Sequence, residues 1–357
     1  MTFSDFKKTC PTPDESIRQQ AINHQNQLTK PPGSLGRLEE LAITLASLQK
    51  NIHPSVDNTL IAIFAGDHGV VEEGISAFPQ AVTVEMIRNF GNGGAAINVL
   101  ANSINAPLEV HNLGTAFNAS DITGSDRYPI THHNIAAGTA NFAKQDALTQ
   151  DQLESALNAG ANIIENNKHL NLFLAGEMGI GNTTAASALL CAYQDKKPAD
   201  VTGAGTGLDS AGIAHKTQVI EKVLARHNSD HPDAAPEAIL QSLGGLEIAA
   251  LAGAYIRAAQ LGIPSLVDGF ICGAAALAAM HINPSTKQWL LLSHCSTEPG
   301  YQHLIEHFAY PPLVDLQMRL GEGSGAATTF QLLKLACALH NNMATFASAD
   351  VSEKSSD

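Results

Sequence analysis

The chain has 357 residues, of which 44% are hydrophobic and 15% are charged. That length is enough for one large domain or two ordinary domains with a sizeable core. The formal net charge of −14 argues against a broad surface for nucleic acid or for an anionic membrane, because both ligands attract basic protein surfaces.

The cysteines and the apolar stretches indicate where the protein works. The five cysteines are scattered and form no C-x-x-C pair: Cys10, Cys191, Cys272, Cys295 and Cys337. This pattern favours neither structural zinc nor a disulfide framework, and it suits a reducing cytosol. The first residues lack the apolar core of a signal peptide, and the apolar stretch 270–280 is too short to span a bilayer. We therefore expect a soluble, cytoplasmic protein.

Two predicted helices come first in chain order, over 13–28 and 34–49, with Lys30-Pro31-Pro32-Gly33 between them. Short apolar runs that end in small or polar residues follow, at 60–65, 108–113, 172–175, 265–267 and 289–292. Helical stretches alternate with these runs. The last part of the chain predicts an apolar helix after Pro312, a helix over 326–340 and a disordered polar tail over 350–357.

Strands that alternate with helices predict an α/β fold, a mostly parallel sheet with helices on both faces. We expect residues 59–310 to form this large domain, and segments 1–58 and 311–349 to pack together as a small helical domain beside it. Ligands of such sheets bind beyond the carboxyl ends of the strands. The polar residues that follow the predicted strands are therefore expected to line one crevice: Asp67, His68, Glu177, Asp268, Ser293 and Ser296.

The most distinctive motif is Gly-Glu-Met-Gly-Ile-Gly-Asn-Thr-Thr over 176–184. It predicts a buried strand, a glycine loop with Gly179 and Gly181, and a helix that starts near Asn182. Glycines and a helix N-terminus together suit a phosphate group, although neither a Walker A loop nor a dinucleotide fingerprint is present. The alternative is a tight turn with small residues for packing. An acid, Glu177, beside a phosphate site indicates chemistry on a phosphorylated ligand.

A second glycine loop, over 202–209, contains Gly203 and Gly205 and is followed by Lys216. Backbone N–H groups in an irregular turn can bind an anion, and Lys216 would add a compact positive charge. The alternative is a surface turn with a solvated lysine, since most lysines are exposed.

Glu322 is flanked by Gly321 and Gly323. If apolar surroundings desolvate this carboxylate, its pKa rises and it can act as a base near neutral pH. The alternative is that Glu322 or Ser324 caps the following helix.

Four further side chains follow the first predicted strand. Phe78 could stack on a flat heterocycle and Gln80 could bind its edge, although taken alone Phe78 reads better as a core residue. Asp67-His68 resembles half of a relay or metal pair, but His68 has no neighbour at metal-ligand spacing. Polar residues that close a strand are the favoured interpretation, and we predict no metal site.

Taken in order, the motifs resemble those of the nicotinate-nucleotide–dimethylbenzimidazole phosphoribosyltransferase family, over about 30–351. The resemblance rests on motifs at 30–39, 66–70, 76–83, 89–98, 176–184, 202–209, 244–248, 268–270, 293–300 and 319–323. The departures are minor: Tyr301 stands where the family commonly has His, and Ile75 where it has Val. A non-catalytic relative that binds azoles or ribotides is the alternative, and a nucleotide-dependent oxidoreductase would need a dinucleotide fingerprint, which is absent.

The resemblance implies transfer of the 5-phosphoribosyl group of nicotinate mononucleotide to 5,6-dimethylbenzimidazole, by a homodimer that needs no metal or organic cofactor. It implies Glu322 as the base and Glu177 as a second catalytic carboxylate. The remaining residues that it places at the substrates are Phe78, Gln80, Gly179, Gly181, Asn182, Gly203, Gly205, Lys216, Asp268, Gly269, Ser293, Ser296 and Leu320.

Overall fold

A computed structural model describes residues 1–352. Its centre is one seven-stranded sheet with the order β3-β4-β2-β1-β5-β6-β7. All neighbouring strands are parallel except the edge pair β3 and β4. The strands are β1 Thr59–Gly66, β2 Leu108–Gly114, β3 Gly124–Ser125, β4 Tyr128–His132, β5 Leu172–Met178, β6 Ser265–Val267 and β7 Leu290–Leu292.

Helices connect the strands and cover both faces of the sheet. They are α1 Phe3–Phe6, α2 Glu15–Gln27, α3 Arg37–Gln49, α4 Ala81–Asn92, α5 Ala96–Ile104, α6 Gln150–Asn166, α7 Asn182–Gln194, α8 Pro198–Val201, α9 Ser210–Asp230, α10 Pro236–Leu243, α11 Leu246–Gln260, α12 Phe270–Ile282, α13 Tyr301–Ile305 and α14 Ser324–Asn342. None of them, within residues 1–352, is long and apolar enough to cross a membrane. The predicted α/β class and the mostly parallel sheet are confirmed.

The strand order reverses between β1 and β5. From β1 the sheet continues through β2 to β4, and from β5 it continues through β6 to β7. Loops on opposite sides of such a switch point diverge and leave a crevice at the carboxyl ends of the two strands. Gly66 ends β1 and Met178 ends β5, so the motifs that begin at these residues meet at the crevice.

Two apolar layers hold the sheet between its helices. All eight residues of β1 are buried, and alternate residues point to opposite faces. Leu60, Ala62 and Phe64 pack with α6, α11 and α12, whereas Ile61 and Ile63 pack with α4, α5 and α14. A strand buried on both faces reads as a continuous apolar run, which is why the sequence predicted this strand. The edge strands β3 and β4 lack such a run and were missed.

The two ends of the chain contact each other beside the sheet. Helix α3 packs against α2 and α14, and Leu28 forms an antiparallel bridge with Thr345. A buried ion pair joins Lys30 Nζ to Glu39 Oε1 at 2.8 Å. Helix α14 also contacts α5 and β5, so it covers part of the sheet as well. The division into a large and a small domain stays a prediction.

The apolar helix predicted after Pro312 is wrong. Residues 311–320 form no helix and run alongside the segment after β7, where Cys295 N–H donates to the Val314 carbonyl at 2.8 Å. Two consecutive prolines favour an extended start. The guanidinium of Arg37 then binds the carbonyl oxygens of Pro311, at 3.0 Å, and Pro312. Residues 353–357 of the predicted disordered tail lie outside the described residues.

Candidate active site

A cavity of about 320 Å³ lies at the carboxyl ends of the central strands. Nine of the residues predicted to bind or transform substrate line it: Phe78, Glu177, Gly179, Asn182, Gly205, Gly269, Ser296, Leu320 and Glu322. They come from six separate parts of the chain, so the fold brings together motifs that are far apart in the sequence.

The other predicted residues lie outside the cavity wall of the described chain: Gln80, Gly181, Gly203, Lys216, Asp268 and Ser293. The Gln80 side-chain amide donates to the His68 carbonyl at 2.9 Å. The buried Ser293 hydroxyl lies 3.1 Å from His294 Nδ1. These contacts hold the wall in place, and direct contact of these six residues with substrate stays a prediction.

Glu177 is the second-to-last residue of strand β5 and does not lie in the glycine loop, because the strand continues to Met178. Its side chain is buried, and the Asn182 amide donates to Oε2. Burial, with a smaller contribution from the nearby carboxyl groups of Asp268 and Glu247, raises the pKa of Glu177 to about 8. Burial therefore favours the protonated form of Glu177.

Glu322 occupies a turn with left-handed backbone, φ 63°, a conformation that costs energy for a residue with a side chain. The carboxyl group is buried, and the backbone N–H of Ile97, at the start of α5, lies close enough to lower its pKa in part. Oε2 has no hydrogen-bond partner among the described residues. Burial raises the pKa of Glu322 above its usual range. A buried carboxylate with one free oxygen at a cavity is suited to accept a proton.

Two glycines set how close Glu177 and Glu322 can lie. A Cβ atom at Gly176 would come within 2.3 Å of the Glu322 carbonyl carbon, and one at Gly321 within 2.4 Å of Glu177 Oε1. Real Cβ atoms do not approach so closely, so both positions need glycine. The strand that carries Glu177 therefore packs directly on the turn that carries Glu322.

Asp268, rather than Glu322 or Ser324, caps helix α14. Its carboxylate accepts hydrogen bonds from the N–H groups of Ala326 at 2.8 Å and Gly323 at 3.2 Å. A carboxylate at a helix N-terminus stabilises the helix through these bonds and the helix dipole. The alternative assignment of Glu322 as a helix cap is therefore wrong, and its carboxyl group is free for chemistry.

A buried hydrogen-bond chain fixes the glycine loop between β5 and α7. Ile180 N–H donates to Thr83 Oγ1 at 3.1 Å, and the Thr83 hydroxyl donates to Asp67 Oδ1 at 2.6 Å. Asp67 also accepts the Ala116 N–H at 2.9 Å. The loop that leads to the N-terminus of α7 is thus tied to the end of β1.

Lys216 is a buried residue of α9, so its interpretation as a solvated surface lysine is wrong. Its Nζ donates to Thr183 Oγ1 at 2.7 Å, and a Cβ at Gly205 would lie 3.2 Å from Nζ. Burial lowers the pKa of Lys216 to about 8. This cation lies behind the two glycine loops and connects the second loop to the first turn of α7.

Glu247 and His68 form a fully buried pair, with 2.5 Å between Glu247 Oε1 and His68 Nε2. No role was predicted for Glu247 from the sequence, although the Gly-Gly-Leu-Glu motif marks it. A Cβ at Gly245 would come within 2.4 Å of His68, so that glycine admits the ring. Among residues 1–352, no three His, Cys, Asp or Glu side chains converge in a way that could hold a metal ion.

Two large apolar side chains on the wall are exposed: Phe78, at 51%, and Leu320, at 59%. Phe78 is therefore not a core residue. Exposed apolar side chains at the mouth of a cavity are available to contact a flat aromatic ligand. The cavity wall also includes three residues for which no role was predicted from the sequence: His294, Glu298 and Arg319.

Comparison with known proteins gives one family. A family model described as a phosphoribosyltransferase matches residues 10–351. The nicotinate-nucleotide–dimethylbenzimidazole phosphoribosyltransferase of Pseudomonas aeruginosa is 51% identical over 356 residues, 99% of this chain and 99% of that protein. The protein of the same name from Xanthomonas oryzae pv. oryzae is 53% identical over 347 residues, 96% of this chain and 97% of that protein.

A crystal structure of the enzyme of that name from Thermus thermophilus superposes with a TM-score of 0.88. The two chains are 39% identical, and the match covers 96% of this chain and 100% of that one. Family, sequence and fold agree over nearly the whole length. The chain belongs to the nicotinate-nucleotide–dimethylbenzimidazole phosphoribosyltransferase family.

Proposed function

We propose that the protein transfers the 5-phosphoribosyl group of nicotinate mononucleotide to 5,6-dimethylbenzimidazole in cobalamin nucleotide-loop assembly. The products are nicotinate and α-ribazole 5′-phosphate, with inversion at the anomeric carbon. The observation that carries the proposal is the buried Glu322, whose Oε2 has no hydrogen-bond partner within residues 1–352 and which shares the cavity with Glu177. Membership of the family supports the substrate pair.

The first part of the reaction breaks the bond between the ribose and the pyridinium nitrogen. The pyridinium is already cationic, so both bonding electrons pass to the ring and neutral pyridine nitrogen leaves without an acid. Positive charge then develops on the ribosyl carbon, as in glycoside cleavage. We propose that the ionised carboxylate of Glu177 stabilises this positive charge. The cationic ring favours the ionised carboxylate, so substrate binding drives the proton off Glu177.

The second part forms the new bond. One ring nitrogen of dimethylbenzimidazole donates its electron pair to the anomeric carbon, on the face opposite the departing nitrogen. The other ring nitrogen must lose its proton, and we assign this proton to the free oxygen of Glu322. General bases of this kind contribute about 10²- to 10⁴-fold to rates.

Binding of the two substrates uses different parts of the wall. We assign the phosphate to the two glycine loops, where the N-terminus of α7 and the buried Lys216 favour an anion. The benzimidazole is assigned to the apolar side of the cavity, between Phe78 and Leu320. Residues of this type bind flat apolar ligands and leave orientation to a few polar groups.

The proposal includes a homodimer that works without a metal or an organic cofactor, as the resemblance implies. Light scattering on the purified protein gives the mass of the assembly, and a mass of one chain would contradict the dimer.

The non-catalytic alternative is not favoured, because both carboxyl groups that the reaction needs are present in the cavity.

Product analysis tests the function directly. The purified protein is incubated with nicotinate mononucleotide and dimethylbenzimidazole in a buffer that contains a chelator, and nicotinate and α-ribazole 5′-phosphate are measured by mass spectrometry. Both products are expected in equal amounts. Folded protein that forms neither product would contradict the proposal.

A further inference from the structure

Glu298 is the third carboxyl group on the cavity wall, and no step of the proposed transfer uses it. Its side chain is buried, with 8% of the residue exposed, and Oε2 has no hydrogen-bond partner among the described residues. The Glu298 N–H donates to Ser296 Oγ at 3.3 Å. Oε2 is enclosed against Gly203, so a ligand in the cavity would reach this carboxyl group through Oε1. An unpartnered, nearly buried carboxylate is costly, so the position calls for a ligand group that pairs with it.

The surroundings of Glu298 show where that ligand group lies. A Cβ at Gly203 would come within 2.0 Å of Glu298 Oε2, so only a glycine lets the second glycine loop rest against this carboxylate. Lys216 Nζ lies near Gly205 of the same loop, and the charge of Glu298 raises the pKa of Lys216 against the effect of burial. Glu298 therefore borders the region assigned to the phosphate, on the side of Ser296 and Gly269.

A carboxylate accepts hydrogen bonds and donates none. It would repel the phosphate and the pyridine carboxylate of nicotinate mononucleotide. The hydroxyl groups of the ribose are the donors that this substrate brings at neutral pH. The ribose also connects the phosphate to the reacting carbon, so it must lie between the glycine loops and the two catalytic carboxyl groups.

We infer that Glu298 accepts hydrogen bonds from the ribose hydroxyl groups and thereby positions the sugar between its phosphate and Glu322. This inference rests on the proposed function, because it takes the phosphoribosyl group as the ligand. It adds a substrate-contacting residue to the two carboxyl groups that take part in the chemistry.

Binding measurements test the inference. The affinities of nicotinate mononucleotide and of its 2′-deoxy and 3′-deoxy analogues are measured by calorimetry without benzimidazole, since a missing hydroxyl also changes the reactivity of the glycosidic bond. We expect the native protein to bind at least one analogue about 10- to 100-fold more weakly, the usual value of a hydrogen bond to a charged group. Glu298→Ala should bind the natural substrate more weakly by a similar factor and should no longer distinguish that analogue.

Three outcomes would overturn the inference. One is a native protein that binds both analogues as tightly as the natural substrate, a result that does not depend on any variant being folded. Another is Glu298→Ala or Glu298→Gln that discriminates as strongly as the native protein. The third is a Glu298→Ala variant that binds all three ligands more weakly by the same factor, which would mean that Glu298 acts on Lys216 and not on the ribose. The exposed Glu306→Gln on the same segment serves as the matched control.

The same samples separate failure of the inference from failure of the function. Native protein that forms α-ribazole 5′-phosphate but ignores the ribose hydroxyls retains the function and loses the role of Glu298. Protein that discriminates the analogues through Glu298 but forms no product retains the binding role and loses the function.

Discussion

Glu322 carries its carboxyl group on a strained turn, with burial that raises its pKa. Strain of this kind is found at functional sites, where the surrounding structure maintains it. We expect Glu322→Gln to bind nicotinate mononucleotide normally but to turn over ~10²-fold more slowly or worse, since the amide cannot accept the benzimidazole proton. Steady-state kinetics and calorimetry on the same sample measure both quantities.

The pH profile adds an independent check on Glu322. A base must be ionised, so kcat, which reports the substrate complex in which Glu177 has already lost its proton, should fall as the pH drops through the pKa of Glu322, at a midpoint above the ordinary 4.5. That acid limb should be missing from the residual activity of Glu322→Gln. A limb that persists in the variant would assign the base to another group, with Glu177 the first candidate.

Glu177 makes a separate prediction about stability. The folded protein holds its proton up to a pH of about 8, whereas the unfolded chain releases it near 4.5. The contribution of protonated Glu177 to the free energy of unfolding is complete below the unfolded-state pKa and is lost as the pH rises through the folded-state pKa. Glu177→Gln keeps the uncharged form at every pH, so its melting temperature should exceed that of the native protein at pH 9 but not at pH 5. The exposed Glu221→Gln should show no such crossover.

At the level of elements, the loop between β5 and α7 depends on a side chain from α4. Thr83→Val keeps the shape but leaves the Ile180 N–H and Asp67 Oδ1 without a partner. We expect a loss of about 1–3 kcal/mol in the free energy of unfolding, the cost of buried unpaired groups. We also expect a higher KM for nicotinate mononucleotide, because the phosphate loop loses its anchor. Urea unfolding and kinetics measure these effects, and Thr83→Ser should restore both.

The predictability of the elements follows from their burial. The strands β1, β2 and β5 to β7 read as apolar runs because helices cover both faces of the sheet. Residues 311–320 show the opposite case. Their apolar residues look helical, but Arg37 binds the carbonyl oxygens at the start of the segment and Cys295 binds Val314. Such contacts between distant parts of the chain leave no local trace in the sequence.

The site was predictable to the extent that glycine and acid motifs mark it. Glu177, Glu322 and both glycine loops were identified from their motifs, and they lie at one cavity. Glu247 and Glu298 were given no role, because a glutamate shows its function only once its burial and its neighbours are known. Asp268 was predicted to bind substrate, but its cap on α14 was not predicted, because those bonds form across the fold.

At the level of the whole molecule, the net charge of −14 opposes an anionic substrate. Salt screens this repulsion, and the Debye length shortens from about 30 Å at 0.01 M to about 8 Å at 0.15 M. We expect kcat/KM for nicotinate mononucleotide to rise by about threefold over that range, because long-range repulsion slows association. The value for the uncharged dimethylbenzimidazole is the control and should not change. A fall for the nucleotide would show that local attraction at Lys216 dominates its capture.

The close packing of Gly176 on the turn of Glu322 has a consequence for the range of acceptors. The strand that carries Glu177 and the turn that carries Glu322 are in backbone contact, so the backbone cannot move apart at this point when a bulkier ring enters. Room for a larger or smaller acceptor must come from the exposed Phe78 and Leu320, which can change rotamer without disturbing the backbone. We therefore expect Phe78 and Leu320 to determine which acceptors fit, and the packing of Gly176 on the turn of Glu322 to determine the geometry at the anomeric carbon.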